Sequence, residues 1–241
     1  MKYFELNCTV YLKKEITFKD SFKTITKYLN HSMLKKEELK NLHGERGFKY
    51  YSFGNFYPIE KEQVYKKGSS YQFTIRSPNE KFIDNIIRTL RENIDNPDFL
   101  VVETHKKNIK QFFISEFYSA TPVIVSVDRN RFWTKEDDLM LLYKQLQDNL
   151  EKKYFNFYGE KLEPIQNFIQ LLELKNNRLQ TIEIDKTYKS GKNVKFFGNK
   201  FRIVPNEDEV SQKLAFLALS CGLGEKSSYG AGFLLGKGVR L

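Results

Sequence analysis

Hydrophobic spacing in this chain switches from a period of two to a helical period and back, and it does so twice. Phe4, Leu6, Cys8, Val10 and Leu12 alternate with Glu5, Asn7, Thr9 and Tyr11, which predicts a strand with one buried face. Thr17 with Asp20 forms a helix-start pair, and Phe18, Phe22, Ile25 and Leu29 fall on one helical face. A short helical piece follows over 35–42. The aromatic GFKYYSFGNFYP (47–58) reads as a strand and turn, and Tyr71, Phe73 and Ile75 as another strand. Phe82, Ile83, Ile86, Ile87 and Leu90 make a second amphipathic helix, stopped by DNPD at 95–98. Strand material at 99–103 and 111–117 is interrupted by the basic HKKNIK. The order is βαββαβ, the ferredoxin-like arrangement.

The second pass begins with Val123, Val125 and Val127, a β-branched run. Thr134 with Asp137 is the expected cap of a helix bearing Leu139, Leu142, Tyr143, Leu146 and Leu150. A two-stranded stretch spans about 168–204, turning at SGKN (190–193). A helix at 207–220 carries Val210, Leu214, Phe216, Leu217 and Leu219, and a glycine-rich loop leads to the closing strand FLLGKGVRL. The expected fold is therefore α+β, two tandem ferredoxin-like (βαββαβ, RRM-like) domains. The expected boundary lies near Ala120–Pro122, giving domains 1–120 and 121–241. The repeat is one of element order, not of residues.

Both halves are basic. The chain of 241 residues carries 40 Lys and Arg against 30 Asp and Glu, a net charge of +10. Residues 1–120 hold 21 basic and 15 acidic residues, and residues 121–241 hold 19 and 15. Such a charge suits an anionic partner without naming one. No window approaches 18 uncharged apolar residues, so no membrane helix is expected. The N-terminus alternates in polarity and lacks a signal-peptide apolar region, so a cytoplasmic protein is expected. Two cysteines, Cys8 and Cys221, cannot build a disulfide framework or a four-thiolate metal site. No His or Cys pair has ligand spacing, carboxylates are not clustered, and neither metal nor cofactor is expected.

Three features can carry chemistry. In GLGEKSSYGAGF, Gly222, Gly224, Gly230 and Gly232 bracket Lys226, Ser227 and Ser228 between a helix and a strand. Such a loop can cradle phosphates on its amides, or it can be a turn that tolerates tight packing. It matches neither the Walker nor the dinucleotide pattern, which follow a strand and open a helix. Residues 186–202 hold Lys186, Lys189, Lys192, Lys195, Lys200 and Arg202 with no acid, interleaved with Tyr188, Phe196, Phe197 and Phe201. This hairpin can lay cations along a phosphate backbone and offer rings to bases, or be a solvated hairpin with its rings in the core. The three histidines are His31, His43 and His105, proton shuttles at neutral pH. His43 stands in NLHGERGFKYYSF between a helical piece and an aromatic strand, with Lys49 six residues on. His31 shares a helical face with Tyr28 and reads as a helix-end residue. His105 sits in an expected basic loop.

GLGEKSSYGAGF resembles the C-terminal glycine-rich loop of the repeat-associated RNA-binding superfamily of CRISPR systems, and in particular of its endoribonucleases that process repeat RNA. The resemblance extends over the chain in element order and is specific at the loop and around His43. It implies two tandem ferredoxin-like domains and metal-independent cleavage of CRISPR repeat RNA by 2′-OH attack, leaving a 2′,3′-cyclic phosphate and a 5′-OH. The Leu42-His43 step, the following Lys49 and the first-helix Tyr28 match the positions where the family carries its active site. His43 is then the base, Lys49 the phosphate-stabilising cation, and Tyr28 an acid or 2′-OH-orienting group. The loop and the basic hairpin are the implied RNA grip. Family members commonly place an acid after the histidine, whereas Gly44 stands here with Glu45 next. The rival is a non-catalytic RNA-binding subunit of a CRISPR effector complex, disfavoured by Leu42-His43 and Lys49. The resemblance leaves monomer and homodimer open.

Overall fold

The structure is a computed structural model that describes residues 1–128, 131–184 and 194–239. The first sheet has the order β3-β5-β1-β6 and is antiparallel throughout. It comprises β1 (Lys2–Leu12), β3 (Ser52–Phe53), β5 (Ser70–Ser77) and β6 (Phe99–Lys110), with β2 (Ile16–Thr17) and β4 (Val64–Tyr65) forming a separate short ribbon. Phe4, Leu6, Cys8, Val10 and Leu12 all enter the core, as the alternation requires. Helices α1 (Phe18–Met33) and α3 (Glu80–Arg91) cover that face, and α2 (Glu37–Gly44) follows α1. Thr17 caps α1 as expected, its hydroxyl accepting the Asp20 N–H at 3.1 Å.

HKKNIK does not break the strand. β6 runs through it in register with β1, pairing Asn7 with His105 and Glu5 with Lys107. An edge strand tolerates lysines because alternate side chains reach water. The Lys106 ammonium lies 4.8 Å from the Phe4 ring centroid and pairs with Glu80 and Asp84 at 2.9 and 2.6 Å.

The second sheet has the order β12-β7-β11-β8. Its strands are β7 (Phe113–Ser119), β8 (Ile169–Leu174), β11 (Phe201–Pro205) and β12 (Leu234–Val239), with α4 (Leu139–Tyr158) and α5 (Glu209–Cys221) packed against it. Its opening strand is thus β7, and the sheets divide between Lys110 and Phe113, ahead of the expected boundary at 120. The valine run makes only isolated bridges, from Val123 to Asn199, Ile124 to Glu225 and Ser126 to Phe132. The expected two-stranded stretch contains four strands. β8 and β11 join the sheet, while β9 (Gln180–Ile184) and β10 (Val194–Gly198) pair only with each other. The cap of α4 is Asp138 rather than Thr134, whose amide and hydroxyl instead bond Asp137. Both sheets keep ferredoxin-like strand order, and the fold is α+β with two such domains in tandem.

The halves interlock. Ile182, Ile184 and Phe196 of the β9–β10 hairpin pack in the core of the first domain, with Ile124 and Ala231. Tyr3 of β1 packs tilted against Phe216 of α5, ring centroids 5.1 Å apart. Arg76 of β5 bonds Glu5 at 2.8 Å and the Leu234 carbonyl at 2.6 Å, and lies 4.5 Å from the Phe233 ring.

Candidate active site

His43 is exposed in the last turn of α2. Helix α2 ends at Gly44, and the chain bends through 45–47 to Tyr50, where two elements hold it. The Tyr50 ring packs on Phe157 of α4 at 5.0 Å, and the Ser77 hydroxyl donates to the Tyr50 carbonyl at 2.6 Å. Lys49 folds back on the end of α2. Its ammonium donates to the carbonyls of Leu42, His43 and Glu45 at 2.5, 3.2 and 2.5 Å. An ammonium has three N–H donors, so three carbonyls use them all. A cation there also complements the helix C-terminus. Partial burial and the neighbouring Lys49 charge both push the His43 imidazole below its ordinary pKa.

The glycine loop is a packing device at its ends and a polar surface in the middle. Gly222, Gly224, Gly230 and Gly232 are all buried, whereas Glu225 to Tyr229 are partly exposed. Gly230 has φ +88° and lies so close to the first domain that a Cβ would stand 2.6 Å from Phe22 and 3.0 Å from Phe53. At Gly232, φ +65°, a Cβ would stand 2.0 Å from the Leu223 carbonyl oxygen. The amides of Leu223, Glu225, Tyr229, Gly230, Ala231 and Gly232 donate to protein carbonyls. Lys226, Ser227 and Ser228 are the expected contact residues left at the surface, with the Lys226 ammonium 5.4 Å from the Phe196 ring.

These two segments meet. A cleft of 360 Å³ is walled by Gly47–Tyr50 on one side and Gly224–Tyr229 on the other, with Asn149 and Lys153 of α4 at its floor. Lys153 is 3% exposed and donates to the carbonyls of Gly222 and Gly224 at 2.8 and 2.9 Å. Its ammonium is 5.9 Å from the Phe48 ring. Burial pushes its pKa down. The sequence reading passed over Lys153 and Asn149. The available signal was a lysine three residues after Leu150, on the flank of the apolar stripe Leu142-Leu146-Leu150.

Tyr28 is not at the cleft. It is 1% exposed, stacked on Phe99 at 4.2 Å. Its hydroxyl donates to the Leu90 carbonyl at 2.7 Å and accepts the Val101 N–H at 3.3 Å. Desolvation raises its pKa to about 12. A hydroxyl so placed meets no substrate, which corrects the expected acid or orienting role. His31 is exposed in the last turn of α1, along a separate groove beside Lys27 and Lys35. His105 is exposed on β6, not in a loop.

Within the basic run, Lys186, Lys189 and Lys192 lie outside the described residues, as does the turn at 190–193. Lys195 is exposed on β10, 4.0 Å from Glu183. Lys200 is partly buried, and desolvation lowers its pKa. Arg202 is on β11, bonded to Glu116 at 2.7 Å and 3.6 Å from Glu173. Glu116 also takes Lys237 at 2.8 Å, and these partners hold its carboxyl down at about 2. Arg202 is thereby committed to carboxylates, against the expected phosphate contact. Phe196 and Phe201 are core residues. Among the described residues no group of three or more His, Cys, Asp or Glu is placed to hold a metal ion, and no helix is long and apolar enough to cross a membrane.

Tandem ferredoxin-like domains closed by a glycine-rich loop define the class of protein. A family model described as CRISPR associated protein Cas6, C-terminal, matches residues 103–235, more than half of the chain. The chain belongs to the Cas6 family. It is 28% identical over 236 residues to CRISPR-associated endoribonuclease Cas6 2 of Methanocaldococcus jannaschii, covering 92% of this chain and 95% of that protein. A solved CRISPR associated protein Cas6 superposes with a TM-score of 0.68 at 19% identity, covering 98% and 99% of the two chains. A structure described as an RAMP protein binding different RNA substrates gives 0.68 at 15% identity, covering 97% and 99%.

Proposed function

We propose that this chain is an endoribonuclease that cuts CRISPR repeat RNA, with its reaction beside His43 at the mouth of the cleft between Gly47–Tyr50 and the glycine loop. The supporting observation is that Lys49, whose ammonium donates to the His43 carbonyl at 3.2 Å, lines this cleft opposite the glycine loop. Neutral imidazole at His43 takes the proton from a ribose 2′-OH. The 2′ oxygen attacks the adjacent phosphorus, and the bond to the 5′ oxygen breaks as that oxygen takes a proton from water, the imidazolium of His43 later returning its own proton to solvent. The products are a 2′,3′-cyclic phosphate and a 5′-OH. Lys49 positions His43 and keeps it unprotonated. Lys226, Ser227 and Ser228 contact the RNA from the opposite wall, and the buried glycines shape that wall.

The test is incubation of the protein with its own repeat RNA in EDTA. Cleavage at one phosphodiester is expected. His43→Ala should slow it by about 10²–10⁴-fold with RNA affinity nearly unchanged, because an exposed side chain on a helix end carries little packing. Native cleavage by His43→Ala would overturn the assignment.

A further inference from the structure

Helix α4 turns a row of unmet hydrogen-bonding groups toward the cleft. Gln145, Asn149 and Lys153 are spaced by four residues and so share one face. Lys153 uses two of its three N–H donors on Gly222 and Gly224, and no carboxylate of the described residues forms an ion pair with it. Its nearest acid, Glu225, is held elsewhere: its carboxylate accepts the Ser126 N–H and hydroxyl at 2.8 and 3.0 Å. The Asn149 Oδ1 and Gln145 Oε1 are out of solvent and accept no hydrogen bond. Asn149 lines both the 360 Å³ cleft and an adjoining one of 280 Å³, which Gln145 also lines with Gly224 and Glu225. Buried polar groups are ordinarily paired, and a buried ammonium is costly without an anion. One spare cationic donor beside two spare acceptors, at cleft walls, is the complement of a phosphate joined to a sugar hydroxyl.

We infer that this row is a ribose-phosphate subsite, with Lys153 taking one phosphate and Asn149 accepting the 2′-OH of the same nucleotide, so that α4 distinguishes RNA from DNA. This rests on the proposed RNA substrate and adds a recognition element on α4 to it. Ribose recognition suits the setting because the 2′-OH is what separates RNA from DNA at a given site.

The experiment measures binding of the repeat RNA to His43→Ala protein, which leaves the strand intact, using a set of RNAs each with one 2′-deoxynucleotide. At one position away from the cut, the deoxy change should weaken binding about 3–10-fold, the range of one neutral hydrogen bond. In Asn149→Leu on the same background, that penalty should vanish while penalties elsewhere persist. Lys153→Met should lower the slope of log K against log salt by about 0.7, one phosphate of a single strand. Should Lys153→Met not fold, the Asn149→Leu comparison decides alone. Deoxy penalties identical in both proteins at every position overturn the subsite. Failure of the wild-type protein to bind or cut repeat RNA overturns the endoribonuclease reading first, and this inference with it.

Discussion

In the proposed mechanism Lys49 acts through its charge, because its hydrogen bonds are turned back onto the protein. All three N–H groups go to the carbonyls of Leu42, His43 and Glu45, which leaves the positive charge beside the imidazole. That charge and partial burial both disfavour imidazolium, so the His43 pKa falls from 6.5. In the proposed mechanism the base form of His43 is the active one, so a lowered pKa preserves activity to lower pH. The acid limb of single-turnover cleavage against pH should therefore lie below 6.5, the ordinary value. Lys49→Met removes one of the two causes, so the limb should move up in pH, with activity lost at pH ~6 and much less at pH ~8. Lys49→Arg keeps the charge and should hold the limb near its original place. A limb that stays put in Lys49→Met would mean the charge is not felt. The closeness of His43 and Lys49 was legible from their spacing and the family resemblance. The placement of Tyr28 was not, because a tyrosine at the flank of an apolar stripe looks the same whether its hydroxyl meets water or, as here, the Leu90 carbonyl.

Whole elements were read well where the hydrophobic period was long and badly where context decides. Alternation in β1 and the stripes of α1, α3 and α5 placed those elements within a few residues. HKKNIK looked like a loop because lysines are poor strand formers, but at a sheet edge they face solvent. The Val123–Val127 run looked like a strand because β-branched residues favour one, yet β7 already fills that place beside β11 and β12. The glycine loop was legible as a loop, but its glycines proved to be set by close packing, Gly230 against Phe22 and Phe53 of the first domain and Gly224 and Gly232 against Ile124 and Leu223 of their own half. Gly230→Val places a Cβ against Phe22 and Phe53 at positive φ. Backbone strain and overpacking together should cost about 2–5 kcal/mol, visible in chemical denaturation, and RNA affinity should fall as the loop shifts. Gly44→Ala, with nothing within 4 Å of the added Cβ, is the control and should stay within about 0.5 kcal/mol of wild type. If both variants proved equally stable, the loop would not be seated as described.

At the scale of the molecule, the two domains share their cores through contacts between residues far apart in sequence, which no local pattern foretells. The β9–β10 hairpin and Ala231 of the second half lie in the first core, and Tyr3 meets Phe216 in the second. Arg76 is the polar centre of this joint. Its side chain is 10% exposed and its partner Glu5 16%, and the same guanidinium holds the Leu234 carbonyl on the far domain. Removing one member of a buried pair leaves the other charge desolvated, at 3–5 kcal/mol when burial is complete. Here some water reaches both groups, so Arg76→Met should cost about 2–4 kcal/mol. Glu5→Gln added to Arg76→Met removes the stranded charge and should restore part of that loss, the non-additivity expected of residues in contact. Because the cores are shared, wild type should unfold in urea in one transition, with tyrosine fluorescence and circular dichroism coincident. Arg76→Met should shift that transition to lower urea without splitting it. Two separated transitions in the wild type would show that the domains fold independently, and the cleft between them would then lack the fixed geometry that the proposed reaction requires.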